Sequence, residues 1–135
     1  MMKKTMHLTF TLLCACGMLA IPPAALAGDS AEEASTAADH AGYAAKATDI
    51  NVAHMHLHHA VNCLVGPNAE HFDSSQANPC AAMGNGAIPD SSDKKATDRL
   101  VRALNTALAG LAADNIDVAR DKARELQSEL QRTAM

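Results

Sequence analysis

The chain has 135 residues, with 11 Lys and Arg against 15 Asp and Glu, and its formal net charge at pH 7 is −4. Only 2% of the residues are aromatic, and there is no tryptophan. Binding to nucleic acid needs clustered positive charge, commonly with aromatic rings on which bases stack. This composition therefore excludes nucleic acid as an expected partner.

The first 27 residues have the three parts of a secretory signal peptide. Lys3 and Lys4 form a positive start, residues 8–20 are an apolar run, and residues 25–27 (Ala-Leu-Ala) are a small-x-small cleavage site. We predict cleavage after Ala27 and export of the mature chain to the periplasm or the cell exterior.

A competing prediction is lipoprotein processing at Cys16, because residues 13–16 (Leu-Cys-Ala-Cys) loosely resemble a lipobox. The residues after Cys16 stay apolar where a lipoprotein has a polar tether, so signal cleavage is favoured. The apolar run is too short to span a membrane and is followed by two prolines. No transmembrane segment is predicted in the mature chain.

Cleavage leaves residues 28–135, about 110 residues, which suit a single domain. Loss of Lys3 and Lys4 removes two of the 11 basic residues and none of the 15 acidic ones, so the formal charge becomes −6.

The predicted fold is all-α: a small helical bundle with one long N-terminal helix packed on an antiparallel helical hairpin. Ser30 and Glu33 have capping-box spacing, so the long helix is expected to begin near residue 31 and to end at Gly66-Pro67. Its apolar stripe recurs at intervals of four and three residues, at Tyr43, Ala47, Ile50, His54, Leu57, Val61 and Leu64.

Residues 66–90 are rich in proline and glycine without sustained periodicity, and we predict a long loop there. Asp90 and Asp93 can cap the second helix, which runs to a turn at residues 113–115. The third helix begins near Ile116, and the short connection makes these two helices the antiparallel hairpin.

Cys63 and Cys80 are the two cysteines that remain after cleavage. In an oxidising compartment they predict a disulfide, which closes a loop of ~16 residues and stabilises the fold by about 3 kcal/mol in the chain-entropy model. The alternative is a pair of thiolate metal ligands, which requires that both cysteines stay reduced.

Four histidines lie within six residues, at His54, His56, His58 and His59. At 100° per residue, His54 and His58 form one pair, whereas His56, His59 and Cys63 share the opposite helix face. A disulfide at Cys63 would bring the long loop, with His71, across that second face. We therefore predict a metal site formed either by His56, His59 and His71 or by His54 and His58.

Neutral imidazoles suit copper, zinc or nickel, whereas the carboxylate sets that Ca(II) and Mg(II) require are missing. No haem is expected, because the chain lacks a C-x-x-C-H motif and has few aromatic residues. His40 lies ~21 Å from His54 along a straight helix, so His40 is predicted to be structural.

The resulting hypothesis is an exported metal-binding protein for metal buffering, delivery or sensing. The alternative is a non-catalytic helical module that binds a protein partner or its own copy, with histidines that are structural or respond to pH. An enzyme is not expected, because no G-x-S-x-G nucleophile motif is present.

Overall fold

The computed structural model describes residues 28–133. Within this range the chain forms helices without strands, which confirms the all-α prediction. The helices are α1 (Ser30–Lys46), α2 (Ile50–Val65), α3 (Ala87–Asp90), α4 (Lys94–Leu111) and α5 (Ile116–Thr133). The predicted signal peptide, residues 1–27, and the competing lipidation site at Cys16 lie outside the described residues.

The prediction of one long N-terminal helix is wrong, because the chain breaks into α1 and α2 at residues 47–49. Ala47 adopts an extended conformation, with ψ of 144°, and ends α1. Asp49 is also extended, and its side chain accepts hydrogen bonds from the backbone N–H groups of Asn51 and Val52. This N-cap starts a new helix, and α2 packs against α1.

The start of α1 also differs from the predicted capping box. Asp29 is the N-cap and accepts from two backbone N–H groups of the first turn. The Ser30 hydroxyl instead donates to the carbonyl oxygen of Ala87, at 2.7 Å. Glu33 points into the protein, where its Oε1 accepts from the Gly86 N–H at 3.0 Å. Both side chains thus connect α1 to α3.

The first residues of α4 and α5 agree better with the predictions made from the sequence. Of the two aspartates predicted to cap the second helix, Asp93 is the N-cap of α4. Asn115 accepts from the first N–H groups of α5, at 2.8 Å and 3.4 Å. A single turn, α3, forms within the end of the segment that was predicted to be entirely loop.

Alanine dominates the surface through which α1 packs against α2 and α5. Small side chains let helix backbones approach closely, so little apolar volume is needed to fill the space between them. The buried alanines of α1 are Ala34, Ala37, Ala38, Ala41, Ala44 and Ala45. Larger fully buried apolar side chains come from the other helices, at Leu57, Val61, Leu64, Leu100, Leu126 and Leu130.

The predicted disulfide is confirmed: Cys63 and Cys80 are bonded, with their Cα atoms 5.2 Å apart. This bond attaches the segment between α2 and α3 to the last turn of α2. Gly66 and Gly86 lie at the two ends of this loop, and both have positive φ (73° and 113°). A Cβ on either glycine would collide with backbone atoms at the other end of the loop. The loop therefore closes where its two ends touch.

Asn62 binds the middle of the same loop and is fully buried. Its Nδ2 donates to the carbonyl oxygens of Asp73, at 2.9 Å, and Ala77, at 3.1 Å. Its Oδ1 accepts from the Asp73 N–H, at 2.9 Å. One amide side chain thus satisfies backbone groups that the loop would otherwise bury without partners.

Replacement of Asn62 by Leu should lower the free energy of unfolding by about 1–3 kcal/mol, because the Asp73 N–H and the loop carbonyls lose their partner. Urea unfolding with the disulfide intact measures the loss. The matched control is Asn105→Leu on the exposed face of α4, for which we expect less than about 0.5 kcal/mol. Equal effects of the two substitutions would show that Asn62 does not hold the loop.

Candidate metal centre

Three histidines from two helices meet where α1 packs on α2. His56 and His59 are three residues apart on α2, so they share one face of that helix. His40 lies on α1, and the reversal of the chain at residues 47–49 turns it toward the other two. We call His40, His56 and His59 the histidine triad.

The triad brings one nitrogen of each ring within 4.8 Å of the others. The Nδ1 atoms of His40 and His56 are 3.3 Å apart. The ring centroids are separated by 5.5 Å for His40 and His56, 5.0 Å for His40 and His59, and 5.6 Å for His56 and His59. His59 stands almost perpendicular to both other rings, with interplanar angles of 84° and 86°.

These distances suit a shared ion. Zinc–imidazole bonds measure about 2.0–2.1 Å, so two nitrogens at a tetrahedral angle are about 3.3–3.4 Å apart. The separation of the His40 and His56 Nδ1 atoms already has this value. His59 Nδ1 is buried and has no hydrogen-bond partner, which leaves an unsatisfied acceptor or donor beside the other two rings.

The surroundings favour neutral imidazoles. Burial lowers the pKa of His56, and burial is also the largest cause that lowers the pKa of His40 and of His59. Repulsion between the rings in their charged forms lowers the pKa values of His40 and His59 further. Because a metal binds only the neutral ring, lowered pKa values favour the form of the triad that could hold an ion.

The prediction that His40 lies too far away to join the histidine cluster is wrong, because His40 lies beside His56 and His59. That estimate measured along one straight helix, whereas residues 47–49 reverse the chain. The sequence does contain a signal for the reversal, since Asp49 precedes an apolar-periodic segment as an N-cap does. The signal was missed because the apolar residues after Asp49 also fit the continuation of the α1 stripe in one unbroken helix.

The other predicted ligands have different surroundings. His54 Nε2 lies 3.1 Å from the carbonyl oxygen of Ala113, in the turn between α4 and α5. His58 Nδ1 lies 3.5 Å from Asp73 Oδ2 in the long loop. The structure thus brings His40, rather than His71, to His56 and His59.

His71 lies at the edge of an apolar groove beside Val65 and Ile88. Its φ is 70°, a left-handed conformation in the loop. Cys63, predicted to share a helix face with His56 and His59, is bonded to Cys80 and offers no thiolate ligand.

Exposed side chains with large apolar parts lie close to the triad in space or along α2. The Tyr43 ring contacts both His40 and His56, with centroids 5.5 Å and 5.4 Å away, and about half of the residue is exposed. Val52 and Met55 are also exposed, and each precedes a triad histidine of α2 by one helical turn. We call Tyr43, Val52 and Met55 the apolar rim.

Comparison of the chain with protein-family models, with curated proteins and with solved structures found no match. In the described part of the chain, residues 28–133, none of the helices combines the length and the apolar character needed to cross a membrane.

The lowered pKa values predict an acid-sensitive fold in the metal-free protein. The unfolded chain, with ordinary histidine pKa values of about 6.5, binds protons before the folded triad does. Stability should be complete above about pH 6.5 and should fall as the pH drops from there through the lowered pKa values of the triad. Urea midpoints measured from pH 7.5 to pH 4.5 test this.

The double variant His40→Gln with His59→Gln should lose less stability over that pH range, because it lacks two of the groups that resist protonation. His71→Gln is the control, since His71 is exposed, and it should follow the wild-type curve. Parallel curves for the wild type and the double variant would refute a role of the triad in the pH dependence.

Proposed function

We propose that this chain is an exported metal-binding protein that holds one Zn(II) or Cu(I) ion between His40, His56 and His59 and buffers or delivers it. The observation that carries the proposal is the convergence of three imidazole nitrogens within 4.8 Å from two separate helices. A solvated helix face gives no reason for such convergence.

One nitrogen–nitrogen distance in the triad can be compared with the coordination geometries of the candidate metals. A tetrahedral ion needs about 3.3–3.4 Å between two ligand nitrogens, and trigonal Cu(I) needs about 3.5 Å, whereas adjacent ligands of a square-planar ion lie about 2.9 Å apart. The 3.3 Å between the Nδ1 atoms of His40 and His56 agrees with the first two values. We therefore propose Zn(II) or Cu(I) as the first ions to test.

Three protein ligands leave one position of a tetrahedral ion open. An open position allows a ligand from another molecule to bind before the first three release the ion. This supports buffering or delivery over permanent structural storage, for which a site with four protein ligands is usual.

The test titrates metal-stripped, oxidised residues 28–135 with Zn(II) by isothermal calorimetry, and with Cu(I) by competition against a chromophoric chelator. We expect one ion per chain and a sub-micromolar Kd. His40→Ala should weaken binding at least ~100-fold, about 2.7 kcal/mol, because the third ligand is lost. His71→Ala should bind as the wild type does.

His40→Ala is the most informative variant, since the alternative ligand sets, His56 with His59 and His71 or His54 with His58, do not include His40. Unchanged affinity in His40→Ala would therefore overturn the triad assignment. Weak or unsaturable binding by the wild type would overturn metal binding altogether. Circular dichroism of each variant checks that the helices are intact.

The sole tyrosine supplies a second signal. The chain has one Tyr and no Trp, and that tyrosine contacts two rings of the triad. Binding of an ion to the triad should change Tyr43 fluorescence with the same stoichiometry as the calorimetric titration. Fluorescence that is unchanged at calorimetric saturation would place the bound ion elsewhere in the protein.

The apolar rim favours a second candidate function, a helical interaction module that binds a protein partner or its own copy. Exposed apolar side chains that lie together commonly mark such surfaces. On this alternative, Val52→Ser with Met55→Ser reduces association, measured by analytical ultracentrifugation or partner capture, and His40→Ala with His59→Ala leaves association unchanged. The reverse pattern would favour the metal site.

A further inference from the structure

Gly28, the first residue of the predicted mature chain, lies against α3 and the end of the long loop. A Cβ built on Gly28 would overlap the Asp90 carboxylate and would lie 2.9 Å from the Cα of Gly84. From standard covalent geometry, the Gly28 nitrogen is then within about 4 Å of Asp90 Oδ2. The backbone of residue 28 is thus packed directly beside a carboxylate.

The charged side chains that line the cavity beside Gly28 are acidic in the described part of the chain. Gly28 lines this surface cavity of about 450 Å³ together with Asp29, Asp90 and Asp93. Among residues 28–133, none of those that line this cavity is a lysine or an arginine. Hydroxyl groups complete the polar part of its wall, at Ser30, Ser91, Ser92 and Thr133. The ion pairs found among residues 28–133 involve other carboxylates.

Glu33 makes the shortage of positive charge more severe. It is fully buried, and its Oε2 has no hydrogen-bond partner. Burial raises the pKa of Glu33 most, and the negative charges of Asp90 and Asp29 raise it further. Asp90 itself already accepts from the backbone N–H and the side-chain amide of Asn85. Asp29, Glu33 and Asp90 therefore lie close together, and the described part of the chain places no cationic side chain among them. Such an arrangement is unfavourable in a partly buried place.

We propose that Gly28 is the mature amino terminus and that its α-ammonium group forms an ion pair with Asp90, supplying the positive charge that the cluster of Asp29, Glu33 and Asp90 lacks. Hydrolysis of the peptide bond between Ala27 and Gly28 consumes one water molecule and leaves a carboxylate on Ala27 and an amine on Gly28. That amine is mostly protonated at pH 7.

This inference rests on the export step of the proposed function, and it gives the cleavage a structural consequence. Before cleavage, the Gly28 nitrogen belongs to an uncharged amide. Afterwards it carries a charge beside Asp90. Removal of the signal would therefore stabilise the contact among the start of α1, the end of the long loop and α3.

The test compares metal-stripped residues 28–135 carrying a free Gly28 amine with the same chain acetylated on that nitrogen, each with and without Asp90→Asn. Acetylation should lower Tm by roughly 4–8 °C in the wild type and by much less in Asp90→Asn, because the partner carboxylate is then absent. Asp114→Asn, exposed in the turn before α5, is the control and should keep the full loss.

The pKa of the Gly28 amine, followed by NMR, provides a readout that packing alone would not change. Asp29, Asp90 and Asp93 line the same cavity as Gly28, so we expect the pKa to lie above the ordinary 7.7–8.0 of an amino terminus. An ordinary pKa, or the same loss of Tm on acetylation with and without Asp90, would overturn the proposal. An equal rise in Tm of the free and acetylated chains on addition of Ca(II) would assign the cluster to a cation and overturn it as well.

Mass spectrometry of the chain recovered from the periplasm of a bacterial host tests the processing step alone. A terminus at Gly28 supports the proposal, and any other terminus overturns it. Neither result depends on the histidine triad, and the titrations with zinc and copper do not depend on the terminus. Failure of this inference can therefore be told apart from failure of the metal site.

Discussion

The reversal of the chain between α1 and α2 is the constraint on which the candidate site depends. Asp49 satisfies the first N–H groups of α2 and so makes a new helix start favourable in the middle of an apolar-periodic segment. Once the chain turns back, residues that are far apart along a helix become neighbours across an interface. His40 then lies beside His56 and His59, so the candidate site contains residues of both α1 and α2.

Burial lowers the pKa of all three triad histidines, and neighbouring imidazoles lower the pKa values of His40 and His59 further. These lowered pKa values favour the neutral rings of His40 and His59, and they are expected to cost the metal-free protein stability in acid. The same properties suit a soft or borderline cation, which accepts electron pairs from neutral rings.

Local signals predicted much of the fold, and long-range geometry was the part that failed. The all-helical class, the disulfide, the cap at Asp93 and the pinned loop follow from residue types and spacing, and the structure bears them out. The break at residues 47–49 was missed because Ala47 and Ile50 satisfy a continuous helical stripe as well as two separate ones. Because of this one error, His40 was predicted to lie far from the other histidines. His56 and His59 were correctly predicted to lie together, because their proximity needs only one helical turn. The burial of Glu33 depends on contacts across more than 50 positions of sequence and has no local signature.

The alanine surface of α1 affects how precisely this helix is positioned along its own axis. Methyl groups that recur every three or four residues offer nearly the same contacts after a shift of one helical turn, about 5.4 Å, so apolar packing alone selects the axial position of α1 weakly. The polar contacts of α1 have no such repeat: Ser30 must meet the Ala87 carbonyl, and Arg120 must meet the carbonyl of Ala45. A slip of one turn would also carry His40 away from its two partners. An ion held by the triad would therefore help to fix the axial position of α1, which the alanine contacts alone select only weakly.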